Sequence, residues 1–190
     1  MRIIAGEFGG RRIVAPAGRV ARPTTDRTRE ALFNMLAHRD DVAFEGARVI
    51  DLFAGSGALG LEALSRGAAW CLFVETDAAS RGAIRDNIEA LGLFGRTRIH
   101  RRSATRLGDK PAGVGPPFDL AFLDAPYREA LSSPALATLA EGGWLRPGAL
   151  AIVEQATDEE AASAAGFEED ARRAYGDTTV RIYRFGPKAD

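Results

Sequence analysis

From residue 48 onward, short apolar runs alternate with longer stretches whose apolar positions recur at helical spacing. The apolar runs predict strands at 48–53, 70–75, 97–101, 118–123 and 149–154. The stretches between and after them predict helices at 58–66, 79–91, 129–140 and 159–165. Such alternation builds a parallel β-sheet with helices on both faces, so we predict an α/β fold of the Rossmann-like type.

The C-terminal part of the chain departs from this alternation. Two further strands are predicted at 167–175 and 178–185, and only Gly176-Asp177 connects them. A connection of two residues can join only an antiparallel pair. The chain has no internal repeat and no low-complexity linker, so we predict that these strands belong to the same domain.

The N-terminal part has a pattern of its own. Segments 2–6 and 11–15 flank a turn that contains two glycines, which predicts a small β-hairpin. A helix is predicted to begin near Asp26, after two prolines that interrupt the chain. We therefore predict a hairpin extension over residues 1–22 and a single α/β domain over residues 23–190.

The composition is that of one globular domain, because 46% of the 190 residues are hydrophobic and 27% are charged. The single cysteine, Cys71, excludes an internal disulfide and lies in an apolar run, where we expect it in the core. With only His38 and His100 beside it, no ligand set for a metal is evident. Neither a signal-peptide pattern nor an apolar run of about 18 residues is present, so we expect a cytoplasmic protein without membrane association.

Positive charge is concentrated near the N-terminus, although the formal net charge of the whole chain is -1. Residues 1–30 contain seven arginines against three carboxylates, and a second basic group occupies 96–106. A localised basic surface in a nearly neutral chain is typical of nucleic-acid binding. The alternative, that these arginines are ordinary solvated surface, stays open. The RNA contacts that we predict in the N-terminal segment are Arg2, Arg11, Arg12 and Arg22.

A glycine turn follows the strand predicted at 48–53. The segment 55–60 fits the pattern G-x-G-x-x-G, and Glu75 lies twenty residues after its first glycine, as a ribose-binding carboxylate should. An NAD-dependent oxidoreductase is therefore one alternative. A carboxylate at Asp51 would repel a pyrophosphate at the helix start, but it suits the ammonium and sulfonium groups of S-adenosylmethionine. We therefore favour S-adenosylmethionine.

A second group of chemistry-bearing residues closes the strand predicted at 118–123. Because proline holds the preceding residue extended, the carbonyl of Ala125 lies beside the carboxylate of Asp124. The two acceptors can receive both hydrogens of an exocyclic amine, while Tyr127 stacks on the base. Beside the glycine turn, this group predicts methyl transfer to an exocyclic nitrogen, although Asp and Pro also end strands in ordinary turns.

The chain resembles the class I methyltransferases, and among them the RsmD-type bacterial 16S ribosomal RNA guanine-N2 methyltransferases. Four segments carry the resemblance: 2–12, 22–34, 51–63 and 124–127. The segment 22–34 reads Arg22-Pro23-Thr24-Thr25-Asp26-Arg27-Thr28-Arg29-Glu30-Ala31-Leu32-Phe33-Asn34. The resemblance implies a seven-stranded, mostly parallel sheet with one antiparallel strand and an N-terminal extension that contacts RNA. It also implies S-adenosylmethionine as methyl donor and N2-methylguanine in 16S ribosomal RNA as product.

The resemblance also implies roles for individual residues. The donor contacts are Thr24, Thr25, Arg27, Asp51, Phe53, Gly55, Gly57, Glu75 and Ser103. The contacts to the base are Asp124, Ala125, Pro126 and Tyr127. The chain departs from the family at Ala125, which replaces the first proline of D-P-P-Y or D-P-P-F, and at Ser103, where an acidic residue often holds the adenine.

For the partners, we expect a monomer that acts on 16S ribosomal RNA, either free or within an assembling small ribosomal subunit. Methylation of another RNA or DNA base, or of a small molecule, is the alternative within the methyltransferases.

Overall fold

The structure is a computed structural model that describes residues 1–16 and 26–186. It divides into two compact units, Met1–Arg101 and Arg102–Asp190. The predicted boundary between residues 22 and 23 lies outside the described residues, as do the predicted site residues Arg22, Thr24 and Thr25.

In residues 1–16 and 26–101, the first unit contains three α-helices and three strands. Its elements are α1 (Asp26–Ala37), β1 (Arg48–Leu52), α2 (Ala58–Ser65), β2 (Trp70–Val74), α3 (Ala78–Leu91) and β3 (Thr97–His100). The strands are parallel and lie in the order β3-β2-β1. The elements predicted from residue 48 to residue 101 are confirmed to within one residue at each end.

The sequence forms these elements for recognisable reasons. In β1 and β2 every residue after the first is buried, so both faces are covered, and all of these buried residues except Asp51 are apolar. Helix α3 begins after Asp77, whose Oδ2 accepts from the Ser80 N–H at 2.8 Å. It ends at Gly92, which adopts the left-handed conformation with φ 68°.

The described part of the second unit contains four strands and one α-helix. Its elements are β4 (Phe118–Asp124), α4 (Ser132–Glu141), β5 (Leu145–Ala156), β6 (Phe167–Tyr175) and β7 (Thr178–Phe185), in the strand order β4-β5-β7-β6. The sheet has seven strands, and of the pairings that the structure describes only those of β7 are antiparallel. The predicted seven-stranded sheet with one antiparallel strand is therefore confirmed. The position of β7 between β5 and β6 departs from the Rossmann order, in which the fifth and sixth strands are neighbours.

The helix predicted at 159–165 is wrong, because this segment forms turns and irregular structure. Its backbone is held by side chains near the end of β5. The Ala162 N–H donates to Gln155 Oε1 at 3.1 Å, and Gln155 Nε2 donates to the Glu160 carbonyl at 3.1 Å. A helix of seven residues is marginal in isolation, so these hydrogen bonds, together with that from the Ser163 N–H to Ser133 Oγ at 3.0 Å, favour the irregular conformation.

The N-terminal segment contains an antiparallel bridge between Arg2 and Arg12, and backbone hydrogen bonds connect its two arms on either side of this bridge. The hairpin extension over residues 1–22 stays a prediction. The segment also binds α2. The carboxylate of Glu62 is fully buried and accepts from the N–H groups of Ile4 at 2.7 Å and Ala5 at 3.1 Å. Residues 1–16 are therefore fixed to the helix by charge-assisted hydrogen bonds.

The N-terminal segment also contributes apolar side chains to the core. Ile3 and Ile13 are 1% and 5% exposed. Gly6, with φ 82°, packs directly against the backbone carbonyl of Ser65, where a Cβ atom would have no room. A side chain at this position would push the segment away from α2.

Candidate active site

The glycine turn connects β1 to α2, and hydrogen bonds fix its backbone from two sides. The Gly55 N–H donates to Glu75 Oε2 at 2.9 Å, and the Ser56 carbonyl accepts from Asn87 Nδ2 at 3.0 Å. Gly57 precedes the first turn of α2 with φ 79°. The turn therefore holds the N-terminal end of α2 in a defined direction, as a nucleotide-binding turn requires.

Asp51 lies beneath the first turn of α2 and is 1% exposed. Its Oδ2 accepts from the Gly60 N–H at 2.9 Å. A Cβ atom on Gly60 would lie 2.5 Å from Phe73 Cε1 and 2.6 Å from Cys71 Sγ, so only glycine allows the helix this close to β2. The sequence pattern therefore identifies Gly60 correctly, and its role is helix packing.

Burial raises the pKa of Asp51 from 3.8 to about 8; the hydrogen bond from Gly60 opposes this rise and the charge of Glu75 adds to it. Asp51 is therefore mostly protonated at pH 7. A neutral carboxyl group repels a pyrophosphate much less than a carboxylate does. The charge of Asp51 therefore gives only a weak reason to prefer S-adenosylmethionine over NAD. This is a correction to the expectation from the sequence.

Glu75 stands at the end of β2 and is 8% exposed. Besides the bond from Gly55, its Oε1 accepts from the Asp77 N–H at 2.8 Å. Each carboxylate oxygen has two lone-pair directions, so both oxygens can still accept from ribose hydroxyls. Glu75 thus connects the glycine turn to the start of α3 and can still accept hydrogen bonds from a ribose, as predicted for it.

Two other predicted donor residues are described in the first unit. Phe53 adopts φ 59°, a left-handed backbone conformation that is uncommon for an aromatic residue. Such outliers cluster at functional sites, and this one directly precedes the glycine turn. Arg27 lies exposed in the first turn of α1.

In the second unit, Asp124 is the last residue of β4 and pairs in register with Glu154 of β5. The Tyr127 O–H donates to Glu154 Oε1 at 2.9 Å and lies 2.8 Å from Thr178 Oγ1. Burial raises the pKa of Tyr127 above its ordinary value of 10, so the hydroxyl stays a donor. The aromatic ring is therefore anchored at its hydroxyl end, and Pro126 is exposed beside it.

Glu154 and Thr178 were not predicted as site residues. Glu154 is 6% exposed and directly follows the apolar run 149–153 of β5, and a buried carboxylate at such a position is a signal that a hydrogen-bond partner exists. The loop after the segment 124–127 is constrained as well. Arg128 has φ 62°, its N–H donates to Glu159, and its guanidinium lies 3.0 Å from Asp158 Oδ2.

The predicted RNA contacts occupy different surroundings. The side chain of Arg2 is 67% exposed, with its Nε 3.7 Å from Asp26 Oδ2. Arg12 is also exposed, whereas Arg11 donates to the Ala90 carbonyl at 2.8 Å, near the end of α3. Arg11 therefore interacts favourably with the C-terminus of that helix, a structural role the sequence did not reveal.

Cys71 is fully buried in β2, as predicted, and burial raises the pKa of its thiol well above the ordinary value. It therefore does not form a thiolate near neutral pH. Within residues 1–16 and 26–186, no helix has the length and apolar character needed to cross a membrane. In the same part of the chain, no group of three or more His, Cys, Asp or Glu side chains is placed to hold a metal ion.

Comparison with known proteins identifies the family. A family model described as conserved hypothetical protein 95 matches residues 1–184. Ribosomal RNA small subunit methyltransferase D of Escherichia coli is 39% identical over 154 residues, which cover 81% of this chain and 74% of the relative. The chain belongs to the RsmD-type methyltransferase family.

Two further proteins resemble this RsmD-type methyltransferase over nearly its whole length. YlbH of Bacillus subtilis is 36% identical over 185 residues, or 97% of this chain and 98% of the relative. The solved structure of yhhF from Escherichia coli has a TM-score of 0.80 and 34% identity, and 98% of each chain is covered. The chain is therefore a methyltransferase with the fold of its family.

Both departures from the RsmD-type pattern have local structural counterparts. Ala125 is only 5% exposed, so its methyl group is packed inside the protein. Ser103 Oγ lies 3.0 Å from Thr105 Oγ1 and accepts from the Thr105 N–H at 3.3 Å. The Ser103 hydroxyl thus stabilises its own turn, and its predicted contact to adenine stays a prediction.

Proposed function

We propose that this protein transfers a methyl group from S-adenosylmethionine to the exocyclic N2 of a guanine in 16S ribosomal RNA. The observation that carries the proposal is the 39% identity to ribosomal RNA small subunit methyltransferase D of Escherichia coli. The anchored tyrosine of the Asp124-Ala125-Pro126-Tyr127 segment supports a flat base as the acceptor.

The residues of the first unit fit S-adenosylmethionine. Glu75 has lone pairs left for the ribose hydroxyls, and the glycines at Gly55 and Gly57 leave the turn open to close approach. Asp51 is neutral at pH 7 on its own, and a neighbouring ammonium group would favour its ionised form. When bound, S-adenosylmethionine supplies a methyl group that is already activated on a sulfonium sulfur.

The residues of the second unit fit the guanine. The carboxylate of Asp124 and the carbonyl of Ala125 accept the two hydrogens of the amino group, which orients its nitrogen. Tyr127 stacks on the base, worth about 1 to 3 kcal/mol. Since the methyl group needs no further activation, positioning is the main contribution of these residues to the rate.

The N-terminal segment fits the RNA. Arg2 and Arg12 are exposed, and the backbone that carries them is fixed to α2. We propose that they contact phosphates, with Arg11 and Arg22 as further contacts. A ribosomal RNA substrate places the activity in the cytoplasm, and the enzyme acts as a monomer on free RNA or on an assembling subunit.

Methylation of an unmethylated 16S ribosomal RNA transcript tests the proposal, with the methylated nucleoside identified by mass spectrometry. Asp124→Ala should lower turnover by about two orders of magnitude, because a positioning contact is lost. Its affinity for S-adenosylhomocysteine, measured by calorimetry, should stay near that of the wild type. Asp119→Ala removes a carboxylate from the opposite end of β4 and is the matched control.

Three results would contradict the proposal. If the wild type methylates no N2 position of guanine in either the free transcript or unmethylated small ribosomal subunits, the acceptor is wrong. If Asp124→Ala loses donor affinity as well as turnover, Asp124 belongs to the donor site. Tight binding of NAD in place of S-adenosylhomocysteine would point to an oxidoreductase.

A further inference from the structure

The side chain of Asn87 binds two separate segments of the first unit at once. It lies on α3 and is 2% exposed. Its Oδ1 accepts from the Val14 N–H at 2.7 Å, and its Nδ2 donates to the Val14 carbonyl at 3.1 Å. The same Nδ2 donates to the Ser56 carbonyl in the glycine turn at 3.0 Å. Both N–H groups and the carbonyl of this amide are therefore used.

A second contact joins the same two segments. Ser56 Oγ lies 3.7 Å from the sulfur of Met1, and the Ile13 N–H donates to the Met1 carbonyl at 3.2 Å. The N-terminal segment thus meets the glycine turn through its first residue and, by way of Asn87, through Val14. The basic residues proposed to contact RNA lie in the same segment, and Arg12 is only two residues from Val14.

We propose that Asn87 is a positioning residue that couples donor binding at the glycine turn to RNA binding at residues 1–16. The proposal rests on the proposed function, which assigns RNA contact to this segment. A buried amide that is bonded to both segments keeps all its hydrogen bonds only when both backbones are in place. Ordering of one segment by its ligand therefore favours the arrangement that the other ligand needs.

The test is reciprocal binding. The dissociation constant of S-adenosylhomocysteine is measured with and without a saturating unmethylated 16S ribosomal RNA transcript, and that of the RNA with and without S-adenosylhomocysteine. In the wild type, each ligand should tighten the other by the same factor, about fivefold or more. In Asn87→Ala this factor should fall to near one, because the amide no longer connects Val14 to Ser56.

Ile88→Val is the matched control. It removes one methylene from the neighbouring buried residue of α3, so it mimics a general loss of packing without touching the amide. Its coupling factor should equal that of the wild type. A factor that is equal in Asn87→Ala and the wild type would overturn the proposal, and so would a factor that falls equally in both variants.

Hydrogen exchange of the wild type keeps the proposal testable if Asn87→Ala does not fold. The Val14 N–H, which donates to Asn87, should exchange more slowly when S-adenosylhomocysteine is bound, and unchanged exchange would overturn the proposal. This measurement needs no RNA. Absence of RNA binding by the wild type would instead contradict the proposed function, so the two failures can be distinguished.

Discussion

Replacement of Asp51 by asparagine should stabilise the protein increasingly as pH rises from 5 to 7. An asparagine Oδ1 can accept from the Gly60 N–H as Asp51 Oδ2 does, so the contact to α2 is retained. The pKa of Asp51 rises from 3.8 to about 8 on folding, so the unfolded chain binds this proton more weakly than the folded chain. The contribution of Asp51 to the free energy of unfolding therefore falls as pH rises between these two values, whereas an asparagine at this position does not titrate.

The magnitude follows from the interval between the two pKa values. From pH 5 to pH 7 the folded chain keeps the Asp51 proton and the unfolded chain has lost most of it. The free energy of unfolding of the wild type should therefore fall, relative to Asp51→Asn, by about 1.4 kcal/mol per pH unit, or roughly 3 kcal/mol in all. At about 2 to 4 °C per kcal/mol, the difference in Tm should grow by roughly 5 to 10 °C.

Urea unfolding at pH 5, 6 and 7 without donor provides the free energies for both proteins. The difference between variant and wild type removes the titration of groups that they share. Asp86→Asn, the same substitution at an exposed position of α3, measures the effect of losing one carboxylate at the surface. A difference for Asp51→Asn that stays constant from pH 5 to 7 would refute the reasoning, because it would show that folding leaves the pKa of Asp51 low.

Three further predictions concern residues that we place in the donor, base and RNA sites. Glu75→Ala should weaken S-adenosylhomocysteine binding by about 1.5 to 3 kcal/mol in calorimetry, and unchanged affinity would remove Glu75 from the donor site. Tyr127→Phe keeps the ring but removes a hydrogen bond to the buried carboxylate of Glu154, so urea unfolding should show a loss of about 1 to 3 kcal/mol. Arg11→Ala with Arg12→Ala should reduce the slope of log RNA affinity against log salt by about 0.7 per lost phosphate contact; identical slopes would mean ordinary surface charge.

The sequence was sufficient where the structure depends on local pattern. Strands β1 and β2 are buried on both faces, so their apolar runs are long and sharply bounded, and the glycine turn between β1 and α2 has its own motif. The segment 159–165 is not helical, and its backbone is held by the side chain of Gln155 and by Ser133 Oγ, which accepts from the Ser163 N–H at 3.0 Å. Ser133 lies 30 residues earlier in the chain, and helical spacing contains no information about such a contact.

The same difference between local sequence pattern and long-range packing applies to the candidate site. Asp124 and Tyr127 were predicted as site residues because they lie beside a proline at a strand end. Glu154 lies 27 residues from Tyr127 and Thr178 lies 51 residues from it, and the pairing of β5 with β7 brings both to the tyrosine. The register of that pairing depends on the length of the intervening chain and on sheet packing. A single sequence therefore predicts the tyrosine but not the residues that hold it.

Asp51 shows that a motif can predict a side chain without predicting its charge. The sequence places a carboxyl group before the glycine turn, and the choice of S-adenosylmethionine over NAD depended on that group being ionised. Burial beneath α2 favours the neutral acid at pH 7. A cationic donor group beside Asp51 would have to draw the proton off as it binds, whereas a pyrophosphate would meet a neutral acid and little repulsion. Asp51 can therefore favour S-adenosylmethionine only by attracting its cationic group. Exclusion of an anionic cofactor such as NAD must come from other features of the site.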